Sequence, residues 1–324
     1  MTSPSRRFCL VLVLTLAWAA PAYPWGREGH QAMAAIAVQN LTPETLGHVK
    51  KILGNDDLPA ISVWMDELRS AAMHAGTLAF NADAQRFIRE FPQNSEWHYV
   101  DLPLGTKAYD PDDPFSNPHD VVHAIAMAVN VLEGDGDARI TKKEALCMLV
   151  HFVGDEHQPL HVGDGYFRLG ADGAATLVTD PAAASGLPND KGGNALFFGP
   201  GRFDELHAYW DTALVVKIAA SDRTSDLVKA LQGKVAAEGA AWKSTGDYHL
   251  WPREWATQSL EAARTAYAGI VFGAVTRDPK GGIAIIRITL PARYDEVCVP
   301  IAEERLAQSG YHLAEILNAL HWAD

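Results

Sequence analysis

The sequence predicts an all-α fold, one helical domain with a minor β-hairpin. Apolar residues recur at helical spacing in segment after segment, two of these segments open with explicit N-cap signals, and helix-breaking residues collect in two stretches. Nearly half of the 324 residues are apolar, so one large core can be buried. No internal repeat or low-complexity linker divides the chain.

Taken in order, His30 to Leu41 is an Ala- and Ile-rich helix. Thr42-Pro43-Glu44 opens the next, with a capping hydroxyl and a proline at the first helical position. Ile61 to Met73 reads as a third helix. Asn117 to Leu132 starts at Asn-Pro and continues with apolar residues at helical spacing. Thr141 to Asp155 begins with a Thr-x-x-Glu capping box, Thr141 and Glu144, and is strongly apolar on one face. Further helices are expected at Phe203–Ile218, Ser225–Ala241, Pro252–Ala268 and Tyr294–Leu320. Of the two exceptional stretches, Gly163 to Lys191 is rich in Gly, Ala, Asp and Pro and reads as a long excursion with a hairpin at Tyr166–Val178. Gly281 to Leu290 follows the turn signal Asp278-Pro279-Lys280-Gly281 and is expected to form a short strand pair. Asp135-Gly136-Asp137 lacks the later ligands of a calcium loop and reads as a turn.

Residues 1–24 have the pattern of a signal peptide. Arg6 and Arg7 precede an apolar stretch, Phe8 to Ala20, too short to span a bilayer comfortably, and Ala20-Pro21-Ala22 fits a small-x-small cleavage site. Cleavage falls after Ala22 or after Pro24. The mature chain is expected to be secreted or periplasmic, without a membrane anchor, and monomeric. Cys9 leaves with the leader, and Cys147 and Cys298, paired or not, are too few for a disulfide scaffold. Formal charge is −13, and −15 without the leader, which holds two arginines and no acids. Such a chain gains nothing from long-range attraction to a polyanion. A phosphate-bearing substrate needs another source of positive charge, and thirteen histidines make bound metal ions the obvious candidates.

His151-x-x-x-Asp155 lies within a helical segment, so both side chains share one face, one turn apart. Beside Leu149, Val150, Phe152 and Val153 they face the interior, which leaves two readings, a buried His–Asp hydrogen bond or a metal site. The same spacing recurs at His207-x-x-x-Asp211, next to Tyr209 and Trp210. His161 follows Asp155 by six residues, Asp66 lies in Trp64-Met65-Asp66-Glu67-Leu68-Arg69, and His98 lies in Trp97-His98-Tyr99-Val100-Asp101. Imidazole and carboxylate are the ligands zinc takes where thiolates are absent. One His–Asp pair is commonplace; two on separate helices with three further groups point to metal.

Trp25-Gly26-Arg27-Glu28-Gly29-His30, the Trp-x-Asp-x-x-basic segment at Trp64–Arg69, the His-aromatic-x-Asp segment at His98–Asp101, the run HFVGDEHQPLHVG from His151 to Gly163, Gly192-Gly193-Asn194 and Leu206-His207-x-x-Trp210-Asp211 occur in that order. Trp255-Ala256-x-x-Ser259-Leu260 and Gly310-Tyr311-His312-Leu313-Ala314 follow. With these motifs the chain resembles, over nearly its whole mature length, the tri-zinc single-strand-specific nuclease and 3′-nucleotidase family of fungi, plants and bacteria. That family shares its fold with zinc-dependent phospholipase C.

The resemblance implies three Zn2+ ions. Asp66, His98, His151 and Asp155 would hold one; Trp25, through its amino group and carbonyl oxygen, would hold a second with His30 and Asp155; His161, His207 and Asp211 would hold a third. It also implies in-line hydrolysis of single-stranded DNA or RNA to 5′-phosphate products by a metal-activated water, and removal of 3′-phosphates from nucleotides. Asp66 would orient that water and Arg69 would stabilise the transition state. Tyr99 would stack on a base, Asp101 would accept hydrogen bonds from its edge, and Asn194 would contact substrate near the phosphate or only shape the turn. The amino-group role requires Trp25 to be the first residue after processing. A phospholipase C of the same architecture and a non-catalytic zinc-binding protein are the rival readings. The 163–191 excursion is placed at the cleft rim, where Tyr166 or Phe167 would extend the stacking platform unless the stretch is a surface loop. His157 is expected to support the site or the fold, and His119 and His123 to have surface or capping roles. His48, His74, His249, His312 and His321 carry no visible function.

Overall fold

The computed structural model describes residues 25–73, 82–170, 173–201, 204–221, 223–277 and 283–323; the leader 1–24, His74, Phe203 and the turn signal Asp278–Gly281 lie outside them. In chain order the helices are α1 (Gly26–Asn40), α2 (Pro43–Leu53), α3 (Leu58–Ile61), α4 (Trp64–Met73), α5 (Ala82–Glu90), α6 (Val121–Glu133), α7 (Lys142–His157), α8 (Pro181–Ala184), α9 (Leu206–Ala208), α10 (Val215–Ala219), α11 (Thr224–Glu238), α12 (Trp251–Tyr267) and α13 (Tyr294–Ala319). The strands are β1 (Leu102–Pro103), β2 (Gly163–Asp164), β3 (Tyr166–Leu169), β4 (Ala175–Val178), β5 (Leu196–Phe197), β6 (Val271–Arg277) and β7 (Ile283–Thr289). The fold is all-α with small sheets, as the sequence predicts.

α7 is the axis around which the rest is built. Thr141 and Glu144 form both halves of the capping box, and every residue from Glu144 to His157 is buried. A helix apolar enough to be covered on all sides must lie inside other helices, and α6, α12, α13, α4 and α1 all pack on it. α1 in turn packs on α13 and α11.

The structure departs from the sequence reading at five elements. The helix expected from Asn117 starts at Val121: the Asn117 side chain accepts the His119 amide in a turn, and Asp120 supplies the cap to His123. The helix expected over Ile61–Met73 breaks between α3 and α4, and the Ser62 carbonyl at the break accepts a hydrogen bond from His151 Nδ1 at 2.7 Å. The segment around His207 is interrupted by a π-helical stretch, Tyr209–Leu214. β7 does not fold back within Gly281–Leu290; it pairs antiparallel with β6 before the turn and parallel with β5 on its other side. α5 was missed, because its apolar positions Ala84 and Phe87 are few and the helix is short.

The hairpin expected in the 163–191 excursion is present, with Tyr166 opposite Val178 and Leu169 opposite Ala175. Tyr166 and Phe167 are both buried, so neither offers a stacking face, which corrects that expectation. Cys147 and Cys298 are buried thiols, not a disulfide. Among the described residues no helix is long and apolar enough to cross a membrane.

Candidate metal centre

α7 presents His151 and Asp155 one turn apart and fully buried. α4 brings Asp66 to them, and the segment before β1 brings His98. The parallel pairing of β1 with β2 sets that segment beside the turn after α7, so that His161 Nδ1 donates to the His98 carbonyl at 2.6 Å. His30 on α1 reaches the same place because residue 154 is glycine: a Cβ there would lie 2.8 Å from the His30 ring. The His30 ring stacks on His151 with centroids 4.2 Å apart.

Asp155 lies between two groups. Its Oδ1 is 3.2 Å from His30 Nε2, and its Oδ2 is 2.8 Å from His98 Nδ1 and 3.2 Å from His151 Nε2. Asp66 Oδ1 stands 3.9 Å from His98 and 3.8 Å from His151. Ligands at zinc distances of about 2.0–2.2 Å in a tetrahedron sit roughly 3.3 Å apart, so this spacing suits one small cation per group. The side chains form three triads able to hold a metal: His30, His151 and Asp155; Asp66, His98 and His151; and His161, His207 and Asp211. In the third, His207 Nε2 is 3.2 Å from Asp211 Oδ2, and the His161 and His207 ring centroids are 4.9 Å apart.

The orientation of the histidines is set by backbone. Nδ1 of His151 donates to Ser62 O, that of His161 to His98 O, and that of His207 to Gly192 O, at 2.7, 2.6 and 2.7 Å. Each bond fixes the tautomer and turns Nε2 into the pocket, the usual preparation of an imidazole for metal. Gly192 is held for this by buried carboxylates: Asp164 accepts its amide at 2.9 Å and Asp190 accepts that of Gly193 at 3.0 Å. Lys191, Gly192 and Gly193 all have positive φ, and a Cβ on Gly192 would lie 2.3 Å from Leu160 O.

Burial dominates the electrostatics. It raises the Asp66 carboxyl to about 7, holds His98 down to about 3, and keeps His161 well below the usual imidazole range and His207 below it. At His151 burial is outweighed by Asp155 and Asp66, which raise it to about 9; at Asp155 it is outweighed by His151, which keeps the carboxylate ionised. Both Asp66 oxygens, Asp155 Oδ1, His161 Nε2 and Asp211 Oδ2 are buried without a hydrogen-bond partner. Each such group costs about 1–3 kcal/mol or more if left so, and a cation is the partner that satisfies them all. The donor set fits zinc.

The remaining residues singled out from the sequence lie as follows. Arg69 is 3.7 Å from Asp66 and mostly buried. Tyr99 is 36% exposed. The Asp101 carboxyl, raised by burial to about 6, is hydrogen-bonded to Asp164 and Asn189. Asn194 closes the turn by donating to Lys191 O at 2.7 Å. Trp25 is buried, its backbone nitrogen 3.3 Å from Asp211 Oδ1 and its indole bonded to Gly154 O. His157 is structural, its Nε2 on His312 Nδ1 at 2.7 Å, and His312 stacks flat on Trp255, a packing role the sequence did not reveal. His123 pairs with Asp120. Sequence reasoning also missed Gln158, which donates to Asp211 Oδ1 at 2.8 Å, and Glu205, whose carboxyl burial raises to about 7. Gln158 stands within the quoted His-Gln-Pro-Leu-His run, but its partner is distant in sequence.

A helical domain whose centre carries three imidazole–carboxylate triads, two of them sharing His151, has side chains placed to hold metal ions. Residues 25–321 match the family model S1/P1 Nuclease. The chain belongs to this family, whose members are hydrolytic nucleases. It is 27% identical to Endonuclease 1 of Arabidopsis thaliana (97% of this chain, 93% of the relative) and 27% identical to Nuclease P1 of Penicillium citrinum (93% and 99%). It is 24% identical to Nuclease S1 of Aspergillus oryzae (97% and 98%).

Proposed function

We propose that the protein is an exported endonuclease that cleaves single-stranded DNA and RNA to 5′-phosphate products, removes 3′-phosphates from nucleotides, and works as a monomer with three zinc ions. The observation that carries this reading is the shared orientation of His151, His161 and His207, each bonded to a carbonyl through Nδ1 with Nε2 turned into a pocket of unpartnered carboxylate oxygens. Asp66, His98, His151 and Asp155 would hold one ion, Trp25, His30 and Asp155 a second, and His161, His207 and Asp211 a third. Bound zinc supplies an acidified water and positive charge for the phosphate, which a chain of net charge −13 otherwise lacks.

The protein's own groups do the rest. Asp66 accepts a hydrogen bond from the attacking water and aligns it with phosphorus. Arg69, 3.7 Å from Asp66, offers its planar guanidinium to the phosphate oxygens as charge builds on them. Tyr99, at 36% exposure, gives a base one aromatic face to stack on, which only an unpaired base can use. Asp101 accepts hydrogen bonds from the edge of that base, Asn194 contacts substrate near the phosphate, and stacking, which any base can satisfy, makes cleavage tolerant of sequence. Trp25 is the first residue of the exported chain in this reading, its nitrogen turned toward the pocket; mass spectrometry of the secreted protein should give Trp25 as residue one, and a retained Tyr23 would remove its amine from the site.

The test is a comparison of substrates. Single-stranded DNA and a 3′-nucleotide should be hydrolysed, duplex DNA and phosphatidylcholine far more slowly, and EDTA should abolish activity that zinc restores. Preference for phosphatidylcholine would assign a phospholipase, and full activity in EDTA would remove the metal from the mechanism.

A further inference from the structure

The motif Trp255-Ala256-x-x-Ser259-Leu260 on α12 supplies no member of the three triads, yet it meets α13 at the C-terminal end of α7. The last four carbonyls of a helix have no partner within it. In α7 these belong to Gly154, Asp155, Glu156 and His157, and each finds a partner. Gly154 O accepts from the Trp25 indole at 2.9 Å and Asp155 O from the Gln158 amide at 2.9 Å. Glu156 O accepts from Ser259 Oγ, and His157 O from Arg305 Nε at 3.4 Å. Asp155 sits inside this last turn, and His161 lies in the short turn that follows it.

Arg305 is buried, and its N–H groups all end on neutral acceptors. Besides His157 O, Nη1 donates to Gln258 Oε1 at 3.1 Å and Gln308 Oε1 at 2.6 Å, and Nη2 to Trp255 O at 3.2 Å and Ser259 Oγ at 2.6 Å. A buried cation is costly unless negative charge faces it. The C-terminal end of α7 supplies part of that charge, because the helix dipole places partial negative charge on those carbonyls. The Ser259 hydroxyl accepts from the guanidinium while it donates to Glu156 O, so the cation reaches the helix end both directly and through one hydroxyl.

We propose that Arg305 and Ser259 are positioning residues for the metal centre: they pin the last two carbonyls of α7 and so fix Asp155 within that turn and His161 just beyond it. This rests on the metal-binding reading above and adds to it residues of α12 and α13 that hydrogen-bond to none of the ligand side chains. With the pin removed, the last turn of α7 frays in the metal-free protein, and its ligands lose more freedom when an ion binds.

The experiment is zinc titration of the metal-free mature protein, read by competition with a chromophoric chelator, with visible spectra of the Co2+-loaded protein as a report on coordination geometry. Wild type is compared with Ser259→Ala, Arg305→Met, Arg305→Lys and, as a control, Thr141→Ala at the opposite end of the same helix. Ser259→Ala and Arg305→Met should each weaken zinc by roughly 10-fold or more and alter the Co2+ spectrum, and Arg305→Lys, which keeps the charge but not the planar fork, should recover part of the loss. Thr141→Ala should leave affinity and spectrum as in wild type. If the arginine variants do not fold, Ser259→Ala against Thr141→Ala decides alone. Wild-type affinity and spectrum in Ser259→Ala, or an equal loss in Thr141→Ala, would overturn the proposal and leave the metal sites standing. A wild type that binds no zinc would instead overturn the metal-binding reading itself.

Discussion

His151, His161 and His207 each commit one nitrogen to the protein and keep the other for the pocket, so their protons and those of the carboxylates decide when metal can bind. Asp66, raised by burial to about 7, keeps its proton in the metal-free fold at pH 6, and His151, which Asp155 and Asp66 raise to about 9 against burial, also stays charged there. Zinc must displace these protons. Affinity at the paired sites therefore falls as pH drops from about 9, more steeply below about 7, while His98, held by burial near 3, is already neutral and competes little. Calorimetry in buffers of different ionisation enthalpy should show protons released on zinc binding at pH 6; pH-independent affinity with no release would contradict the assignment. Tyr99 makes a separate claim. Stacking is worth about 1–3 kcal/mol per base, so Tyr99→Ala should raise KM for single-stranded DNA by roughly 5–150-fold with kcat little changed. An unaltered KM would place the base elsewhere.

At the scale of elements, α7 and the Gly192 turn carry the site. The Thr141 cap and Glu144 box anchor the start of the helix that presents His151 and Asp155, and Thr141→Ala should cost about 1 kcal/mol in denaturant unfolding with metal content unchanged. Gly192→Ala strikes differently, since a Cβ would meet Leu160 O at 2.3 Å in a backbone with φ of +61°. The displaced carbonyl would release His207 Nδ1, and third-site zinc affinity should drop roughly 10–100-fold. Retention of three tightly bound ions in this variant would deny the turn its role. These two elements also mark what could be read from the sequence. The α7 ligands were legible because helical periodicity is local, and a spacing of four places His151 over Asp155 whatever surrounds them. Ser62, Gln158 and Gly192 O were not, because each acts through a contact with a residue further along the chain, and backbone carbonyls leave no trace in a side-chain pattern. The break at Ser62 and the π-helical stretch after Ala208 were hidden for the same reason: tertiary demand at the pocket overrides the helical propensity of those segments.

For the molecule as a whole, negative charge and a polyanionic substrate are reconciled only if positive charge is concentrated in one place. With −13 overall and Arg69 at the pocket, few phosphates can be neutralised by side chains. Single-strand binding weakens with a log–log slope of about −0.7 per phosphate contact, so log KM against log salt should rise by no more than about 2, a value near three contacts. A steep slope would reveal an extended basic track. The scaffold's part is to bring α1, α4, α7, the segment before β1 and the turn at α9 to one buried point, from positions 30 to 211 in the chain. Anomalous diffraction at the zinc edge from crystals of the mature protein tests that convergence most directly. Three peaks should appear inside the pocket bounded by His30, Asp66, His98, His151, Asp155, His161, His207 and Asp211. Peaks scattered over the surface, or a pocket without zinc in crystals grown with it, would contradict the account.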